Sequence, residues 1–337
     1  MLNNLLSKVL SAPDSPTADL YFRNACADFL GRGVRQVAPT VFASPTTTVI
    51  MRHAMRAGRL PERRRLIYLV DDDVEAGTSD QSLPFFYRQK LRMVEQPACR
   101  RIRRFAGVAV VGSPTLARLF APIMQTHLIR PYWSERFACL DHFDGLERGQ
   151  GWVDVAYLGS IVHRSDLMFL IPAIGRLLEL HPNMRFHVPI RHRLPAELEN
   201  HPRVMPIPGL GWTAYRRQIA GRRFHVTAYP LLDTPFNRAR SANKLIEHAV
   251  VGAAPVYSSC WGEAQNAAEY GAGYLIPNDQ EAWVQGLSGL IGNPDRMKRL
   301  AKRAQNFART LNTAEPQRSL WRDLLELDAP AEALACA

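Results

Sequence analysis

The sequence predicts an α/β protein made of two doubly wound halves, each a parallel sheet covered by helices. Three observations predict it. The chain has 337 residues, long for one compact core and comfortable for two. Apolar, strand-like runs alternate with helical stretches, the pattern of βαβ construction. The alternation also runs twice, interrupted by residues 134–151, where Gly145, Gly149 and Gly151 lie among mixed charges without periodicity and suit a linker.

The elements follow in order. Leu2, Leu5, Leu6, Val9 and Leu10 recur at helical spacing before Pro13, and a second helix is expected over residues 18–30, closed by Gly31 and Gly33. Residues 35–43 read as a strand and residues 47–57 as a helix ending at Gly58. Residues 65–70 form an apolar strand that runs into Asp71, Asp72 and Asp73. A helix over 85–105, a strand over 107–111, a helix over 113–120 and a short segment at 127–130 complete the first half. In the second half, strands are expected at 153–158, 184–188, 204–207 and 224–229, with helices at 167–179 and 215–220. Residues 300–324 read as a basic, then amphipathic, helical tail.

Composition narrows the function classes. Hydrophobic residues make up 47% and charged residues 22%, as in a soluble protein able to bury real cores. No apolar run is long enough to span a bilayer, and no secretion signal is visible at the N-terminus. The five cysteines are isolated and odd in number, which suggests neither a metal site nor a disulfide framework and fits a reducing cytoplasm. The formal charge is +11, from 37 arginines and only 5 lysines, with clusters at 63–65, 100–104, 216–217 and 222–223. Such charge suits nucleic acid, anionic lipid or a phosphorylated substrate. Nucleic acid is disfavoured because no aromatic residues interleave with the arginines and no binding module is recognisable.

Three motifs carry chemistry. In the first, a loop over 233–240 leads into a short amphipathic helix with Ser241, Lys244 and Glu247, followed by Gly252 and an apolar strand. A helix start with Ser241 and Lys244 suits a diphosphate, and Glu247 suits sugar hydroxyls; the same spacing also fits an ordinary βαβ unit with a solvated Lys–Glu pair. In the second, a strand ends at Gly159-Ser160 and is followed by His163 and Asp166. The small-residue turn offers backbone amides to an anion, and Asp166 reads as a helix N-cap or first-turn residue. The third is the carboxylate run Asp71 to Asp73, which reads either as a solvated loop with a helix cap or as a site for acceptor hydroxyls. Its likeness to an Asp-x-Asp metal motif is set aside because it lies in the half opposite the other two motifs.

The first motif, Pro235-Phe236-Asn237 through Ser241, Lys244, Glu247, Gly252 and Pro255-Val256, resembles the nucleotide-sugar-binding element of retaining GT-B glycosyltransferases of the family-4, or glycosyl transferases group 1, type. Most of that family carry two glutamates here, and counting back from Glu247 places the first at Ala239, where it is missing. The second motif resembles the same subgroup's Tyr-x-Gly-Ser-x-Thr-His-x-x-Asp turn, with Val162 in place of Thr. Ser113-Pro114-Thr115-Leu116 resembles a scrambled form of a further family turn.

The resemblance implies a GT-B fold, two Rossmann-like domains facing a cleft. Residues 1–150 would form the acceptor-side domain, 151–300 the nucleotide-sugar domain and 301–330 a helix packing back on the first. It implies donor binding by Gly159, Ser160, Asn237, Arg240, Ser241, Lys244 and Glu247, and catalytic roles for His163, Lys244, Asp72 and Asp73. No metal and no cofactor is expected beyond the nucleotide-sugar substrate. The acceptor would be a glycan or a polyprenyl-linked glycan in bacterial surface or exopolysaccharide synthesis. The place would be the cytoplasm, peripheral at an anionic inner-membrane surface. The alternative is a non-catalytic GT-B-like protein that binds glycan or acts as a scaffold. Weaker candidates are Arg52 and His53 and the run 191–193, whereas the isolated His127, His192 and His201 read as surface groups.

Overall fold

The computed structural model describes residues 15–51, 65–149, 151–189 and 193–327. They form two six-stranded sheets. The first holds β1 (Arg35–Ala38), β2 (Val41–Ala43), β3 (Thr47–Met51), β4 (Arg65–Val70), β5 (Val108–Val111) and β6 (Gln125–Leu128), side by side in chain order. β3 to β6 are parallel, whereas β1, β2 and β3 pair antiparallel.

Two expectations fail here. Residues 35–43 are a hairpin rather than one strand, because Pro39 removes a ladder donor and the chain turns there. Residues 47–51 are a strand rather than the start of a helix. The β-branched Thr47, Thr48, Val49 and Ile50 fit a pleated sheet better than a helix. All five residues of β3 are buried, so the run lacks the one-sided exposure that would mark a surface helix. The remainder of that expected helix lies outside the described residues.

The second sheet contains β7 (Val153–Ala156), β8 (Met184–Pro189), β9 (Val204–Ile207), β10 (Val226–Tyr229), β11 (Ala254–Ser258) and β12 (Tyr274–Ile276). Their order is β12-β11-β10-β7-β8-β9, and all pairs are parallel. The order reverses between β7 and β10, and that reversal opens a crevice beyond the C-terminal ends of these two strands. The stretch expected as a linker is partly ordered: Asp141–Phe143 and Asp144–Glu147 are helical, and Phe143 and Leu146 are buried in the second core. Their apolar side chains are spaced to reach one surface, a signal that the surrounding glycines obscure.

Two cross-connections bind the halves. The helix Glu315–Leu324 returns to the first half, where Trp321 is fully buried, packs edge-on against Phe22 and donates from Nε1 to the Tyr21 carbonyl at 2.7 Å. Gln317 Nε2 donates to the carbonyls of Leu20 (2.8 Å) and Arg130 (2.6 Å). In the opposite direction, the segment 234–240 of the second half docks into the first. Phe236 is buried in the first half's core, Thr234 donates to Asp80 Oδ2 at 2.6 Å, and Ser113 Oγ donates to the Ala239 carbonyl at 2.8 Å.

Candidate active site

The crevice at the strand reversal is a cleft of about 290 Å³ between the two halves. Its second-half wall is built by the turn after β7 and the start of the helix Asn243–Val250. That helix keeps Leu245, Ile246, Ala249 and Val250 buried, which leaves Lys244 on the cleft side. It ends at Gly252 in a left-handed conformation (φ +71°), where the Ala253 amide reaches back to the His248 carbonyl at 3.1 Å.

Lys244 Nζ donates to the Leu158 carbonyl at 2.5 Å and to Glu247 Oε2. Glu247 is itself buried, and its other oxygen accepts from the Tyr215 hydroxyl at 2.5 Å. Both carboxylate oxygens are therefore committed within the second half. In this geometry Glu247 orients Lys244, and it does not line the cleft as a hydroxyl acceptor. Gly159 is also absent from the wall. Its reason for being glycine is local, since a Cβ there would lie 2.1 Å from the Tyr157 hydroxyl. Its neighbour Ser160 is exposed on the wall.

His163 follows in a short 3₁₀ turn and lines the cleft while only 4% exposed. Its Nδ1 donates to Asp166 Oδ2 at 2.9 Å, so the nitrogen left for a ligand is Nε2. Burial, followed by the nearby Arg240 cation, pushes the imidazole pKa down and keeps it neutral. Asp166 lies in the first turn of the helix Arg164–Leu180, one of its two expected places, and is buried: its Oδ1 receives the Leu232 amide (2.8 Å) and Asn237 Nδ2 (3.1 Å). Asn237, expected on the donor, is buried at 1% and also donates to the Leu232 carbonyl, so it braces Asp166 from behind the wall.

Arg240 and Ser241 complete this side. Arg240 Nη1 donates to Asp72 Oδ1 at 2.7 Å across the two halves, with its guanidinium over the Phe236 ring. The three aspartates at the end of β4 diverge. Asp71 accepts from Thr17 Oγ1 at 2.5 Å, Asp72 holds Arg240, and Asp73 caps the helix Val74–Ser79 through the Ala76 amide at 3.0 Å. Asp73 turns away from the cleft into a neighbouring pocket, which corrects its expected catalytic placement. Burial raises its pKa. Among the described residues, no group of three His, Cys, Asp or Glu side chains is arranged to hold a metal ion.

With this geometry the two sheets, the crevice and the returning C-terminal helix form one recognisable plan. The fold is GT-B. No family model and no curated protein matches the sequence, but solved structures match the fold. WaaG, a glycosyltransferase involved in lipopolysaccharide biosynthesis, superposes with a TM-score of 0.57 at 16% identity, over 78% of each chain. Anabaena HepE, solved with UDP and glucose, gives 0.57 at 14% identity over 78% of this chain and 72% of that one. A sucrose-phosphate synthase from Thermosynechococcus elongatus gives 0.56 at 16% identity over 81% and 70%. Identities this low carry the fold and nothing finer.

On this GT-B frame the cleft brings together Ser160, His163, Arg240, Ser241, Lys244 and Asp72 from the expected set. Sequence reasoning missed Tyr21, Thr17, Tyr87 and Tyr229, which share the wall. Tyr229 was findable, because it ends β10 at the strand reversal. Burial pushes its pKa up to about 12, so it stays a neutral hydroxyl. Tyr21 had no such signal, since only the long-range pairing of the two chain ends brings it to the cleft. Arg52, His53, Arg191, His192 and the expected helix at residues 1–11 lie outside the described residues.

Proposed function

We propose that this protein is a glycosyltransferase that moves a sugar from a nucleotide-sugar donor to a glycan or lipid-linked acceptor. The observation that carries the reading is the pairing of two cations, Arg240 and Lys244, with Ser160, Ser241 and neutral His163 on one wall of an interdomain cleft. Such a wall suits a diphosphate, whose charge grows as the glycosidic bond breaks. Lys244 is held by Glu247 and the Leu158 carbonyl, so the ammonium needs little reorganisation when that charge develops. His163, fixed by Asp166, offers the lone pair of Nε2 as an acceptor to a hydroxyl of the sugar. Asp72 faces the same space from the acceptor-side half and is the group we assign to the attacking hydroxyl, once a donor diphosphate competes for Arg240. We further propose metal-independent transfer with retention, the outcome that the sequence resemblance implies, in bacterial surface or exopolysaccharide synthesis.

A second reading, a GT-B-like protein that binds glycan without transfer, is favoured by one observation. Ala239 stands where a glutamate is usual in the family it resembles, and it is 1% exposed with its carbonyl tied to Ser113. Incubation with a panel of UDP-, GDP-, ADP- and dTDP-sugars separates the two. Slow release of nucleoside diphosphate from one donor, accelerated by glycan acceptors, is expected of a transferase. Binding of a donor with no release at high protein concentration would establish the second reading.

A further inference from the structure

Behind Lys244, a chain of side chains runs across to the first half. Glu247, the counter-ion of Lys244, accepts at its other oxygen from the Tyr215 hydroxyl at 2.5 Å. Tyr215 belongs to a different helix, Trp212–Ala220, and its ring stacks on that of Trp212 with centroids 6.3 Å apart. Trp212 Nε1 donates to Asp19 Oδ2 of the first half at 2.7 Å, and Asp19 is buried there while also holding Arg23 and Arg216. Trp133, in the segment joining the halves, packs edge-on against Trp212 and donates from Nε1 to Asn243 Oδ1 at 2.7 Å. Asn243 opens the helix that carries Lys244. The three aromatic residues thus touch Asp19 on one side, and the start of the Lys244 helix and the Lys244 counter-ion on the other.

The Lys244 helix does not need these contacts in order to pack. Its buried Leu245, Ile246, Ala249 and Val250 already fix it on the second sheet. They leave open the direction of a long lysine side chain with a mobile point charge. Tyr215 narrows that freedom, because a hydroxyl bonded to one carboxylate oxygen aims the other at Nζ. Burial of the hydroxyl, followed by the Glu247 charge, pushes the Tyr215 pKa well above its ordinary value, so the group remains a donor.

We infer that Tyr215 and Trp212 are positioning residues for Lys244: Tyr215 fixes the carboxylate that aims the ammonium, and Trp212 ties Tyr215 to Asp19 of the first half. The charge on the donor wall is then set by the docking of the two halves. Separation of the halves breaks the Asp19 bond, loosens the Trp212–Tyr215 stack and releases the ammonium from its fixed direction. The inference rests on the proposed donor site and adds the device that sets its charge.

A double-mutant cycle tests it, read by isothermal titration of the full chain with UDP, GDP, ADP and dTDP up to millimolar concentration. Tyr215→Phe keeps the ring and deletes the hydroxyl, and should weaken the best-bound nucleotide about ten-fold. In a Lys244→Ala background the same substitution should weaken it by less than about two-fold, because the group it positions is gone. Trp212→Phe keeps an aromatic ring and loses the N–H to Asp19. It should weaken binding about three-fold, and again have no further effect once Lys244 is removed. Both single variants should melt close to wild type, since ring packing is kept. Equal affinity of Tyr215→Phe and wild type overturns the inference. So does an equal fold-loss in both backgrounds, which would make Tyr215 a general brace. Wild-type protein that binds none of the four nucleotides removes the donor site itself and the relay with it, so the two failures are told apart.

Discussion

At the C-terminal edge of the second sheet His163 bonds Asp166; towards its N-terminal edge His187 and His225 gather around Asp154. Both clusters are largely buried, and burial lowers the pKa of His163 and of His225. Their surroundings differ. The Asp154 amide donates to His225 Nδ1 at 3.0 Å, so His225 carries its hydrogen on Nε2, which faces the His142 carbonyl at 3.1 Å. His142 Nε2 donates to the Phe224 carbonyl at 3.1 Å, and Arg185 forks onto Asp154 at 2.8 and 2.9 Å. The polar atoms of that cluster mostly face other protein atoms, which ties β7, β8 and β10 together. The His163 cluster directs a ring edge into a cleft that also holds two cations. A histidine–aspartate pair alone is therefore a brace, and the neighbouring cleft is what makes one pair a candidate for chemistry.

The largest expected effect comes from emptying the cleft of charge. Lys244→Ala should lower transfer by about 10²–10³-fold, with a melting temperature close to wild type. Comparable turnover in the variant, measured under saturating donor, would remove the ammonium from the mechanism. A matched pair of carboxylate variants comes next. Asp154→Ala should cost about 2–3 kcal/mol of stability by denaturant titration, because it strands Arg185 and two imidazoles, and it should leave donor affinity of the folded protein unchanged. Asp166→Asn should lower turnover by about ten-fold or more and flatten its pH profile, because His163 loses its fixed tautomer. Equal losses of turnover in the two variants would erase the distinction between the clusters.

The brace should also be visible in the pH dependence of stability. His142 and His225 have folded pKa values pushed below the usual value near 6.5 by burial, so the unfolded chain takes up protons first as the medium is acidified. Their stabilisation is full above that value and declines as pH falls through it. His142 Nδ1 is buried without a hydrogen-bond partner among the described residues. The melting temperature should drop between pH 7.5 and 5.5, and His142→Gln should shrink that drop. The smallest expected effect is that of excess chelator, which should change the transfer rate by less than about two-fold, since Arg240 and Lys244 supply the positive charge. Loss of activity that returns with Mg²⁺ would assign a cation to the reaction.

Much of this was legible in the chain. The strand at 65–70, the strands β7 to β10 of the second half and the helix–Gly252–strand unit follow from apolar periodicity and a left-handed helix end, signals that lie within a dozen residues, whereas β12 has no such signal and was not expected. The single strand expected over 35–43 overlooks the turn at Pro39, and the helix expected from 47 overlooks the β-branched run that forms β3. Ser160, Ser241, Lys244, Arg240 and His163 share one wall, as their motifs suggested. Glu247, Asn237 and Asp73 have the same residue chemistry but point elsewhere, because side-chain direction depends on tertiary neighbours such as Tyr215 and Asp166. Tyr21 lines the cleft from backbone that Trp321 and Gln317, some 300 positions later, hold at the carbonyls of Tyr21 and Leu20. No local pattern encodes a contact of that range.

The central claim, that the cleft between β7 and β10 is a nucleoside-diphosphate site held by Lys244, has one direct measurement. Isothermal titration of the wild-type chain and of Lys244→Ala with UDP, GDP, ADP and dTDP reads the site without requiring an acceptor. The account predicts saturable binding of at least one of these to wild type, weakened about 100-fold or more in the variant. Binding of equal strength to both proteins, or none to wild type at millimolar nucleotide, would contradict it.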